Sequence, residues 1–215
     1  MGATSRKLLI FTSIMLEALT GAAAAVDSPG SPVNPNPDIA APLWSVGGEW
    51  QDDGGVTKVL SSLQGGPVVL TMFYSGCHVS CPVAVEAMQW VENNLPAAQA
   101  RRCRFVLVTL DPGGDTVAEL RRFRAEAGLS AQWTLLRGAR SKTHELADRI
   151  GLGYKVGEYG ISHTSRIVVL DPAGRIVGRQ STAAPGLVQL LGEVELLLAA
   201  PAGLDEGRVS VASVP

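Results

Sequence analysis

The chain has 215 residues, 46% of them hydrophobic, with 18 lysines and arginines against 20 aspartates and glutamates. That is a globular composition, and the length suits one domain of ordinary size. A formal charge of −2 leaves no basic footprint for nucleic acid, so a nucleic-acid partner is not expected.

Residues 1–25 read as a secretory signal peptide. Arg6 and Lys7 precede the short apolar run LLIFTSIML, and small residues follow around Ala22 to Ala25. The run is short for a bilayer span and Glu17 interrupts it, so a cleaved signal is expected rather than a retained anchor. Export would place the protein in the periplasm, where cysteines meet an oxidising environment. There are three cysteines, so a pure disulfide framework leaves one over. Residues 26–42 form a proline-rich linker, residues 43–200 the folded domain, and residues 201–215 a tail without a convincing period.

Within the domain, strands and helices alternate. PVVLTMFY (67–74) is a near-continuous apolar run, as expected for a strand covered on both faces. Pro82 to Leu95 follows as a helix, with proline in its first turn, where no N–H is needed. CRFVLVTL (103–110) is a second buried strand, and Thr116 to Ala127 a helix that Gly128 stops. AQWTLLR (131–137) reads as a short strand, and SKTHELADRIG (141–151) as a helix capped by Ser141. TSRIVVLD (164–171) and RIVGRQ (175–180) make a hairpin around Asp171-Pro172-Ala173-Gly174, and Val188 to Leu198 a last helix. This order means an α/β sandwich with a mixed central sheet.

Cys77 and Cys81 lie where the first apolar strand runs into its helix. If the helix begins near them, one turn brings both sulfurs to the same face, beside a helix N-terminus that favours thiolate. Three roles are open: a structural disulfide, a redox couple or a pair of metal ligands. A disulfide closing so small a loop constrains the unfolded chain little. Two thiolates alone leave a metal site incomplete, which directs attention to the histidines. His144 has the setting of a solvated helix residue, and His78 sits inside a short loop that would point it outward. His163, just ahead of a strand expected to be central, is either a loop histidine bonded to backbone or a third ligand. Cys103, the spare thiol, reads as a small buried hydrophobe. Asp111 and Asp115 in TLDPGGDT read as turn and helix-cap residues.

The stretches FYSGCHVSCP, VTLDPGGDT and ISHTSRIVVLDPAGRIV resemble the Sco/SenC family, thioredoxin-like copper-delivery and thiol-redox proteins of cytochrome c oxidase assembly. They span about Gly66 to Gln180. The resemblance implies a thioredoxin-like fold, a central mixed β-sheet flanked by helices. It also implies copper, as Cu(I) or Cu(II), on Cys77, Cys81 and His163, with Cys77 and Cys81 doubling as a redox-active pair. Two thiolates and an imidazole are a soft set suited to Cu(I), and the imidazole also admits Cu(II). Disulfide formation would eject the metal. The implied partners are a copper site in a membrane-bound terminal oxidase or another periplasmic copper carrier, together with a thiol reductant protein. His78 stands where the family commonly has proline, and Ser162 where an aspartate commonly precedes the histidine. An acidic neighbour would help orient and polarise the imidazole, so a weaker copper site is expected without it.

Other chemistries fit less well. A thioredoxin-type thiol–disulfide oxidoreductase has C-x-x-C and a proline in the facing loop, whereas Gly160 to His163 has none. A peroxiredoxin motif fails at Leu70 and Tyr74. A structural zinc site would need Cys103 as a fourth ligand. The expectation is therefore a metal carrier, with thiol–disulfide exchange as the alternative activity of the same cysteines.

Overall fold

The computed structural model describes residues 41–158, 160–180 and 186–200. The expected signal peptide, the linker up to residue 40 and the expected tail lie outside the described residues.

Nine strands and five α-helices are described. β1 (Trp50–Asp52) and β2 (Thr57–Lys58) form a hairpin, preceded and followed by short 3-10 turns at Leu43–Ser45 and Leu60–Leu63. The chain continues through β3 (Val68–Phe73), α1 (Ser80–Asn94), the single turn α2 (Ala97–Ala100) and β4 (Arg104–Thr109). α3 (Val117–Glu126), β5 (Trp133–Gly138) and α4 (Arg140–Ile150) follow. A second hairpin, β6 (Tyr154–Gly157) and β7 (Gly160–His163), precedes β8 (Ile167–Leu170), β9 (Ile176–Gln180) and α5 (Leu187–Ala199).

Seven strands form one sheet in the order β2-β1-β5-β4-β3-β8-β9. β3 pairs parallel with β4, and β4 with β5, while the other pairings are antiparallel. The expected mixed sheet is thus present. β8 lies between β3 and β9, an interior strand next to the edge rather than the central one expected.

The continuous apolar runs are explained by burial on both faces. Alternate residues of β3 part company: Val69 and Phe73 pack with Phe105 and Leu107 beneath α1, α3 and α5. Val68, Leu70 and Met72 pack with Val106 and Val108 against Trp50, the two 3-10 turns and α4. Every residue of β3 is buried.

Boundaries match the sequence reading within a few residues, with two corrections. Ser141 does not cap α4. The helix starts one residue earlier, after Ala139, whose carbonyl accepts from Lys142 and Thr143 N–H. Asp115 does not cap α3. Thr116 does, its hydroxyl accepting from Glu119 N–H, and Asp115 is buried at 2% exposure. Gly128 stops that helix as expected, in the left-handed region at φ +62°. At the β8–β9 turn, Gly174 has φ +86°, and a Cβ there would lie 2.4 Å from Trp44 Nε1, so only glycine fits. Among the described residues no helix is long and apolar enough to cross a membrane.

Candidate metal centre

β3 and β4 run parallel and end side by side at Phe73 and Thr109. The loops beyond the carboxyl ends of parallel strands are where an open sheet exposes free backbone groups, and ligands gather there. Cys77 follows β3 in that crevice. β8 runs antiparallel to β3 and starts opposite Thr71, so the chain entering β8 arrives at the same end. That chain is β7, whose last residue is His163.

The three predicted ligands meet. Their donor atoms all lie within 4.8 Å of one another. His163 Nε2 is 3.7 Å from Cys77 Sγ and 3.5 Å from Cys81 Sγ. All three cysteines are free thiols. His163 Nδ1 lies 3.0 Å from the Thr164 carbonyl oxygen. A carbonyl only accepts, so Nδ1 carries the proton and Nε2 presents a lone pair to the sulfurs. The ring is therefore held without an acidic neighbour. Ser162 is exposed and pairs with Lys155 on the neighbouring strand, while a backbone carbonyl does the orienting. Tyr74 closes one side, its ring meeting the imidazole edge-on at 5.8 Å.

Cys77 is the acidic thiol. Burial raises its pKa, but contact with Cys81, the Val79 N–H and Ser80 opposes that, and the thiol comes to about 6. The Cys81 backbone N–H points at its sulfur at 3.3 Å, one of the unpaired donors of the first turn of α1. Cys81, 1% exposed, is shifted the other way by burial first, then by the neighbouring Cys77 sulfur. One ready thiolate and one reluctant thiol result.

Two contributors escaped the sequence reading. Asp115 accepts from Ser75 N–H at 3.1 Å, from the Ser75 hydroxyl and from the Thr109 hydroxyl, and so ties the cysteine loop to the end of β4. Its partner Ser75 is 40 residues away, so no local pattern reveals the contact. The Ser80 hydroxyl lies 3.6 Å from Cys77 Sγ and 3.4 Å from His163 Nε2. Serine in a helix's first turn reads as a capping residue, and that reading conceals this placement.

The remaining candidates lie apart. His78 is exposed on the loop. His144 is exposed on α4, bonded to Asp148 at 2.9 Å. Cys103 immediately precedes β4, at the strand end opposite the site, roughly 20 Å away along the strand at about 3.3 Å per residue. It is 2% exposed, and burial pushes its thiol up to about 12. It cannot serve as a fourth ligand, which removes the zinc reading.

The SCO1/SenC family model matches residues 49–190, most of the described chain. The chain belongs to the SCO1/SenC family. A Stutzerimonas stutzeri protein bearing the name of a copper-binding protein is 25% identical over 140 residues, covering 62% of this chain and 68% of that one. A solved Aquifex aeolicus protein, named for electron transfer, superposes with a TM-score of 0.65 at 21% identity, over 74% of this chain and 93% of its own. Bradyrhizobium japonicum ScoI, solved with copper bound, gives 0.58 at 19% identity, over 69% and 97%. These likenesses confirm the thioredoxin-like Sco fold.

Proposed function

We propose that this SCO1/SenC protein is an exported copper carrier in which Cys77, Cys81 and His163 hold one copper ion, and in which the same cysteines cycle between dithiol and disulfide. The observation that carries the reading is the convergence of two sulfurs and one imidazole nitrogen within 4.8 Å. That donor set is soft and low in number, which favours Cu(I) over the harder ions. Copper in the Bradyrhizobium relative supports the choice of metal. Loading requires both sulfurs as thiolates, and Cys77 needs little help at neutral pH because its thiol titrates near 6. Release follows from oxidation, since a disulfide leaves no thiolate to bind the ion. The family resemblance suggests a recipient in a membrane-bound terminal oxidase, and the N-terminal sequence suggests a periplasmic location.

The test is anaerobic copper titration of the reduced protein with chelator competition and X-ray absorption. The expected result is one tightly held ion per chain with two sulfurs and one nitrogen around it. Absence of tight copper, together with rapid disulfide exchange, would reassign the protein as a thiol–disulfide oxidoreductase. That second reading has the acidic Cys77 in its favour.

A further inference from the structure

Ser80 is the first residue of α1, at a helix end where serine ordinarily turns its hydroxyl onto a free backbone N–H. Here the cap position is Val79, which makes no side-chain hydrogen bond. Among the described residues the Ser80 hydroxyl has two partners instead, Cys77 Sγ at 3.6 Å and His163 Nε2 at 3.4 Å. Those separations are within 0.1 Å of the ones between the imidazole and the two sulfurs, 3.7 and 3.5 Å. Of the three residues between the cysteines, His78 and Val79 are exposed, and Ser80 alone turns inward. The hydroxyl is therefore a fourth polar corner of the centre.

Its behaviour with an ion follows from the histidine tautomer. Nδ1–H is committed to the Thr164 carbonyl, so Nε2 is a lone pair. Once an ion takes that lone pair, the acceptor left to the hydroxyl is the Cys77 sulfur. Hydrogen bonds to a ligating thiolate withdraw electron density from the metal–sulfur bond and change the preference between oxidation states. We propose that the Ser80 hydroxyl donates to the Cys77 sulfur in the loaded centre and biases it toward Cu(I) over Cu(II). The inference rests on the copper reading above and adds a residue that sets which form of the ion is carried.

The experiment compares wild type with Ser80→Ala and Ser80→Thr, all full-length and reduced. Cu(I) affinity is measured by chelator competition, and Cu(II) by anaerobic titration to no more than one ion per chain, following the sulfur-to-copper absorption band. Position 80 is only half-buried, so alanine there does not threaten the fold. Ser80→Ala is expected to raise Cu(II) affinity relative to Cu(I) about fivefold, the scale of one net hydrogen bond. The band should move to longer wavelength as the sulfur becomes the stronger donor, and Ser80→Thr should restore both values. An unchanged ratio and band in Ser80→Ala overturns the proposal. A fall in Cu(II) affinity also overturns it, by making the hydroxyl an oxygen ligand. A wild type that holds no copper would instead remove the copper reading, before any variant is compared.

Discussion

At the scale of single residues, the two cysteines of one loop are chemically unequal. Cys77 keeps 8% of its surface and receives the Cys81 N–H, whereas Cys81 keeps 1% and lies deeper in the core beneath α1. Burial disfavours a thiolate in both, but at Cys77 the donors outweigh it, whereas at Cys81 burial and the neighbouring Cys77 sulfur outweigh the one backbone donor, from Tyr74. Cys77 is therefore expected to be the more reactive thiol and Cys81 the less reactive one. Peptide mass spectrometry after brief iodoacetamide treatment of the metal-free protein checks this. Modification of Cys77 should rise with pH to a plateau, with a midpoint near 6, because its pKa is lowered and the thiolate persists down to that value. Below the midpoint the rate should fall about tenfold per pH unit. Cys81 should stay nearly unmodified across the range. Equal rates at both sulfurs would contradict the assignment.

At the scale of elements, the cysteine loop is held from beside as well as by its own helix. The Asp115 carboxylate is buried at 2% exposure and collects three donors, two from Ser75 and one from Thr109. An amide at 115 would turn an NH2 group toward at least one donor, leaving buried groups unpaired at about 1–3 kcal/mol. Asp115→Asn should accordingly lower the urea midpoint and speed alkylation of native Cys81, while Asp111→Asn, on the open turn, should do neither. Asp115 also shows where reading the sequence stops. β3, α1, β4 and the β8–β9 hairpin were legible because their apolar runs and turn residues act locally. TLDPGGDT was legible as a turn, but that its second aspartate points into the core depends on Ser75 across the loop. The β6–β7 hairpin went unread for a related reason. Its residues are mostly exposed and glycine-flanked, so no apolar alternation marks it, yet its register places His163 opposite Tyr154 and over the sulfurs. β1 and β2, with three and two residues, are too short to show a period.

At the scale of the whole molecule, the candidate ligands divide into a local pair and a distant one. Cys77 and Cys81 are four apart and stay near each other in the unfolded chain, whereas His163 is 82 residues beyond Cys81. The unfolded chain can therefore hold Cu(I) through two thiolates, and binding to that state subtracts from ligand stabilisation. What folding adds is the imidazole, delivered by β7 to the carboxyl end of β3. The thermal shift on Cu(I) loading should consequently report His163 more than the cysteines. Wild type should gain several degrees, on the order of 2–4 °C per kcal/mol for a chain of this length. His163→Ala should keep one Cu(I) per chain through its two sulfurs, yet lose most of that shift, and should lose Cu(II) more severely. Cys81→Ala should lose both retention and shift. Calorimetry of the metal-free and Cu(I)-loaded forms of each variant measures this directly. Equal shifts in wild type and His163→Ala would mean that the imidazole takes no part in holding Cu(I), and that the fold positions it for Cu(II) or for transfer alone.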